Sequence, residues 1–117
     1  MADVQTGSGL VPSVRQEGNA LVACVKGDVD LNNSPELRNV LLSQIARHSP
    51  AKLVLNLKQV PYMDSSAIAV LVEMLRKLKG GKIVLAEVQP RVKGLLEIAR
   101  LNSIFGIAKD EAEALAK

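Results

Sequence analysis

The sequence predicts an α/β domain: one mixed β-sheet of four to five strands, mostly parallel with an antiparallel N-terminal hairpin, packed with about four α-helices. Three observations predict it. From residue 21 onward, short apolar runs alternate with amphipathic helical stretches, which implies parallel strand pairs joined by right-handed crossovers. The chain opens instead on two strand candidates separated by a turn, which implies one antiparallel pair. Leu53-Val54-Leu55-Asn56-Leu57 is apolar almost throughout, the pattern of a central strand covered on both faces.

The elements follow in order. Residues 1–9 are small and polar and carry two glycines, so they read as a flexible N-terminal tail ahead of a single domain over 10–117. Residues 10–15 suit a first, edge strand, with Pro12 near its start where proline is tolerated. Glu17-Gly18-Asn19 is a hairpin turn, residues 21–25 are a strong strand, and Gly27-Asp28-Val29-Asp30 ends it. Asn32, Asn33 and Ser34 are N-cap candidates for the first helix. Pro35 suits its first position, and Glu36 favours the positive end of its dipole. Leu37, Val40, Leu41 and Ile45 recur at helical spacing, and His48-Ser49-Pro50 should stop the helix.

After the central strand, whose Asn56 must find hydrogen-bond partners, the second helix follows Asp64-Ser65-Ser66. Ala67, Val70, Leu71, Met74, Leu75 and Leu78 trace one stripe along it, and Glu73, Arg76, Lys77 and Lys79 lie off that stripe. Gly80-Gly81 closes the helix, and residues 82–86 form the next strand. Pro90 opens a third helix with Val92, Leu95, Leu96 and Ala99 facing inward. Asp110 caps a short last helix over 111–117.

Composition narrows the function. At 117 residues, 48% hydrophobic and 23% charged, the chain can build a core without metals or disulfides. Tyr62 and Phe105 are the only aromatic residues, which argues against a surface that stacks nucleic-acid bases. A net charge of +3 is too modest to imply direct nucleic-acid binding. Cys24 cannot form an internal disulfide, and its apolar neighbours mark it as a small buried hydrophobe in a reducing, cytoplasmic setting. No signal peptide is visible, and the longest apolar run, residues 67–72, falls far short of the ~20 residues that cross a bilayer. The apolar stripes can all be satisfied within one chain, so a monomer is expected.

Catalytic and cofactor chemistry is not expected. One cysteine and one histidine supply no metal cluster. The phosphate loop, the dinucleotide fingerprint and the Gly-x-Ser-x-Gly elbow are missing. A triad of Ser66, His48 and an aspartate would need the sole histidine to reach across from the far end of another helix. Asp28 and Asp30 read as loop residues or a binding edge rather than an acid/base pair. Arg76, Lys77, Lys79 and Lys82 read as a solvated helix end. The chain therefore reads as a non-enzyme with no cofactor and no metal.

The segment Val60-Pro61-Tyr62-Met63-Asp64-Ser65-Ser66-Ala67 joins the central strand to the second helix. Asp64 can be an N-cap and nothing more, its carboxylate accepting from first-turn amides. The place has a second property. A helix N-terminus at the C-terminal edge of a strand is where α/β sheets put functional groups, and a serine there presents its hydroxyl to a partner.

Gly27-Asp28-Val29-Asp30, Leu53-Val54-Leu55-Asn56-Leu57, Met63-Asp64-Ser65-Ser66 and the following Gly-Gly turn and strand, in that order, resemble the STAS domain. More narrowly, they resemble the bacterial anti-sigma factor antagonists. The resemblance implies that Ser66 is phosphorylated by an anti-sigma factor with a histidine-kinase-like ATPase fold. Unphosphorylated antagonist binds that partner and frees the sigma factor; phosphorylation blocks binding, and a serine phosphatase resets the cycle. It further implies a partner-binding surface of Asp30, Asn32, Asn33, Asp64, Ser65, Ser66 and Ala67. The chain departs from the family at Ala67, where glycine is usual, and a methyl there would narrow the approach of a kinase. STAS domains also serve as cytoplasmic subunits of lipid-transporting ABC complexes and as stress-signalling scaffolds. Retention of Asp64-Ser65-Ser66 favours the phosphoswitch.

Overall fold

The computed structural model describes residues 3–117. Its six strands form one sheet in chain order. They are β1 (Val4–Gln5), β2 (Ser13–Glu17), β3 (Ala20–Lys26), β4 (Lys52–Gln59), β5 (Lys82–Ala86) and β6 (Gly106–Ala108). The β1–β2 and β2–β3 pairs are antiparallel, and β3, β4, β5 and β6 run parallel. The helices are α1 (Ser34–His48), α2 (Ser65–Lys77), α3 (Pro90–Ile98) and α4 (Glu111–Ala116).

Parallel strands added one after another in one direction, each through a right-handed crossover, put their connecting helices on a single face. The packing follows that rule. Leu21, Leu53, Leu55, Ile83 and Leu85 point to one face and pack with Leu37 and Leu41 of α1, Leu71 and Met74 of α2, and Val92 and Leu96 of α3. Strand alternation sends Val22, Val54 and Val84 to the other face, where α4 covers them through Ala114. On the exposed side of the helical layer, the Arg38 guanidinium grips Glu73 with two 2.8 Å hydrogen bonds and so clips α1 to α2.

The sheet is mixed, as expected, but has six strands rather than four or five. β1 is two residues long, too short to leave a pattern. β6 contains Gly106, whose missing side chain leaves room for Val84: a Cβ there would lie 3.1 Å from its Cγ2. Of the nine residues expected to form a loose tail, Met1 and Ala2 lie outside the described residues. The others are tied down. Val4 and Gln5 pair with Val14 and Ser13, the Thr6 hydroxyl donates to Val11 O, and the Ser8 hydroxyl donates to Glu36. The strand expected over 10–15 begins at Ser13 and is not an edge, because β1 covers its outer side.

Three side chains differ from expectation. Cys24 is only half-buried, since it faces the side of the sheet that α4 covers incompletely. Ala99 is exposed at the end of α3 rather than inward. Asn33 is the N-cap residue of α1 but makes no side-chain cap bond, because its amide is engaged in the preceding loop. Asn56 finds one partner on α4 and one on its own strand: its amide donates to Glu111 Oε2 (2.6 Å), and its Oδ1 accepts from Lys58 N (2.9 Å).

Candidate functional site

Two loops leave the C-terminal edge of neighbouring parallel strands and lead into α1 and α2. Their backbones are knitted together. Val29 N donates to Tyr62 O (3.0 Å), and Asp64 N donates to Val29 O (3.1 Å). Gly27 opens the first loop at φ +94, a left-handed conformation that glycine adopts freely.

The first loop is braced by its own side chains. Asp30 Oδ1 accepts from the amides of Asn32 (2.9 Å) and Asn33 (3.3 Å). Asn33 Oδ1 accepts from Asp30 N (2.8 Å), and its Nδ2 donates to Asp28 O (2.8 Å). Asp30 and Asn33, expected as partner contacts, therefore also shape the loop. Asn32 is exposed on it. Leu31, between them, is 74% exposed. Leu31 is not among the partner contacts expected from the sequence.

The second loop ends at Asp64, the N-cap of α2. Its Oδ1 accepts from Ser66 N (2.9 Å), Ala67 N (3.3 Å) and the Ser66 hydroxyl (2.5 Å). Its Oδ2 reaches across to the first loop and accepts from Leu31 N (3.0 Å). The Ser66 hydroxyl bond, with those amide bonds, holds the Asp64 carboxyl below the usual aspartate range against a smaller desolvation effect.

The structure thus brings together Asp30, Asn32, Asn33, Asp64, Ser65 and Ser66. Ser65 is exposed, and Ser66 is half-buried at the first turn of α2. Ala67 is fully buried. Its methyl joins the core and offers no surface, which removes the expected obstruction to a kinase and also removes Ala67 as a side-chain contact. At the margin, the Arg91 guanidinium lies 5.1 Å from the centre of the Tyr62 ring, a cation–π contact.

Other candidates lie elsewhere. His48 ends α1, whose first residue is on the loop side; 15 helical residues, about 22 Å, separate them. Arg76 and Lys77 are in the last turn of α2, the end away from Ser66. A groove of about 610 Å³ lies there, lined in part by Leu42, Ile45, Pro50, Leu78, Lys77 and Lys79. Among the described residues no group of three or more His, Cys, Asp or Glu could hold a metal ion, and no helix is long and apolar enough to cross a membrane. Asp64 is the one side chain hydrogen-bonded to Ser66 among the described residues.

The STAS domain family profile matches residues 11–114. Two curated relatives are similar in sequence. The anti-sigma-B factor antagonist of Bacillus subtilis is 33% identical over 101 residues, covering 84% of this chain and 91% of that protein. The anti-sigma F factor antagonist of Paenibacillus polymyxa is 30% identical over 99 residues, covering 83% and 85%. Among solved structures, the anti-sigma factor antagonist SpoIIAA in its unphosphorylated form shares the fold, with a TM-score of 0.75 at 20% identity over 87% of this chain and 90% of that one. Bacillus SpoIIAA in its phosphorylated form gives 0.67 at 19% identity over 88% and 95%.

Proposed function

The chain belongs to the STAS domain family, and from that premise we propose that it is an anti-sigma factor antagonist controlled by phosphorylation of Ser66. Unphosphorylated, it binds an anti-sigma factor that is also a serine kinase, and the sigma factor is released. The kinase transfers the γ-phosphoryl group of ATP to Ser66 Oγ, the hydroxyl proton is lost, and ADP leaves. The modified chain no longer binds. A serine phosphatase hydrolyses the ester to inorganic phosphate and restores the hydroxyl. The chain itself supplies a surface and an acceptor, not a catalyst, and acts in the cytoplasm.

The observation that carries this reading is the placement of the Ser66 hydroxyl. Ser66 is half-buried at the first turn of α2, its hydroxyl bonded to Asp64, beside a braced loop that displays Leu31 and Asn32. A partner shaped to cover a neutral hydroxyl would have to bury a group of charge about −1.5 to −2 after phosphorylation. An unpaired charge buried at an interface costs about 2–5 kcal/mol, or about thirty- to several-thousand-fold in affinity.

The test is capture from native lysate with three baits: wild type, Ser66→Ala and Ser66→Asp. Wild type and Ser66→Ala should retain a kinase-like ATPase, and Ser66→Asp should lose it. Purified with ATP, that ATPase should phosphorylate wild type but not Ser66→Ala. Capture of one set of transporter or scaffold proteins by all three baits would refute the switch and make Ser66 a capping-region serine.

A further inference from the structure

We propose that Asp64 couples the state of Ser66 to the loop that carries Leu31, and that Leu31 is the apolar anchor which this loop presents to the partner. The inference rests on the partner-switching reading above and specifies how the switch reaches beyond its own residue.

The two oxygens of the Asp64 carboxylate do different work. Oδ1 serves α2, accepting from the Ser66 amide, the Ala67 amide and the Ser66 hydroxyl. Oδ2 serves the other loop, accepting from Leu31 N at 3.0 Å. A carboxylate is planar and rigid, so one oxygen cannot be displaced without moving the other. Any change at Ser66 that turns the carboxylate therefore also disturbs the bond to Leu31.

Leu31 is placed to make that disturbance matter. The residue is 74% exposed although its backbone is held on both sides. Before it, Val29 is bridged to the Tyr62–Asp64 backbone; after it, the amides of Asn32 and Asn33 donate to Asp30 Oδ1. Single exposed leucines are ordinary on a protein surface. A leucine held out on a braced backbone is less so, because the ordering cost of binding has already been met in the free protein.

Phosphorylation removes the hydroxyl donor from Asp64 Oδ1 and sets phosphate oxygens beside it. Those oxygens repel the carboxylate and compete for the amides of Ser66 and Ala67. The carboxylate turns away, and the Leu31 amide loses its acceptor. The anchor then moves on a loosened loop, which lowers affinity beyond the local effect of charge.

The experiment uses the full chain, labelled with nitrogen-15, and follows the Leu31 amide by hydrogen exchange. Phosphoserine is incorporated at position 66 directly, so no kinase is needed. In that protein Leu31 N–H should exchange about tenfold faster or more, while Val29 N–H, bonded to Tyr62 O, keeps its rate. Ser66→Ala removes the hydroxyl without adding charge and should leave Leu31 protected. Asp64→Asn keeps one oxygen to cap α2 and turns an NH2 toward Leu31, so it should release Leu31 while the melting temperature stays near that of wild type. A Leu31 amide equally protected in the phosphorylated protein overturns the coupling. Capture of the kinase-like ATPase with the same sample separates the two readings. If the ATPase is lost with Leu31 unmoved, the switch stands and the coupling fails; if Leu31 is released and the ATPase is retained, the coupling stands and the switch fails.

Discussion

Replacing Gly81 by alanine should destabilise this protein by an amount that the geometry sets. Gly81 lies in the turn between α2 and β5, where a Cβ would fall 2.4 Å from Ala51 O and 3.2 Å from Leu78 Cβ. The obstructing oxygen is backbone, so no rotamer change relieves it. Nor is it free to move, because Ala51 O accepts from Lys82 N (3.1 Å) and Gly81 N donates to Leu78 O (3.1 Å). Overpacking of this kind costs about 1–3 kcal/mol, and weakening the Lys82 bond adds about 0.5–1.5 kcal/mol. The sum is about 1.5–4.5 kcal/mol, or a fall of about 6–18 °C in melting temperature for a domain of this size. Circular dichroism melts of Gly81→Ala beside Gly80→Ala make the test. Gly80 has open space around the added methyl but sits at φ +92. Its variant should lose only the backbone strain term, about 1–2 kcal/mol. A Gly81→Ala protein that melts within about 2 °C of wild type would refute the steric argument.

Three further outcomes are expected. Gly94 lies inside α3 with nothing within 4 Å of an added Cβ, so Gly94→Ala should stabilise by about 0.5–1 kcal/mol, read as a rise in the same melts. Leu31→Ala should leave stability within about 0.5 kcal/mol of wild type. If the exposed 74% of Leu31 is what the partner buries, the substitution costs about 1–2 kcal/mol of binding, a five- to thirtyfold loss against the kinase-like ATPase by calorimetry. Asp64 titrates below its unfolded value because of the Ser66 and amide hydrogen bonds. Its stabilising effect is therefore full above pH about 4 and lost as pH falls through the depressed folded value. The stability gap between wild type and Asp64→Ala should be level near neutrality and close in acid; a gap that widens below pH about 4 would contradict the assignment.

Much of this fold was legible because it rests on repeating patterns. The α2 stripe and the Asp64 cap, the Lys82–Ala86 strand and the Asp110 cap of α4 all depend on spacing or on one residue type, and all are found where expected. What escaped notice lacks a period. β1 is two residues, and β6 is three residues with a glycine at its first position. The tying down of residues 3–9 depends in part on Ser8 reaching Glu36, 28 residues away, which no local pattern announces. The site divides in the same way. Asp64-Ser65-Ser66 was legible as a helix start, and the Asp30 loop through resemblance. Leu31 was not, because its importance comes from a bond to Asp64, 33 residues further on.

A helix N-terminus ordinarily favours an anion, because its free amides and its dipole point at it. By that rule a phosphate on Ser66 would be welcome. Here the amides of Ser66 and Ala67 already bond to a carboxylate, and that carboxylate is covalently fixed two residues before the serine. A phosphate cannot add to this arrangement; it must share the amides with Asp64 or displace it. Either anion can satisfy the start of α2, so the modified domain should stay folded. The Leu31 amide has no such choice, since Asp64 Oδ2 is the acceptor that reaches it from the other loop. The cost of phosphorylation therefore falls on the loop rather than on the helix, which is where a switch that must release a partner without unfolding would place it.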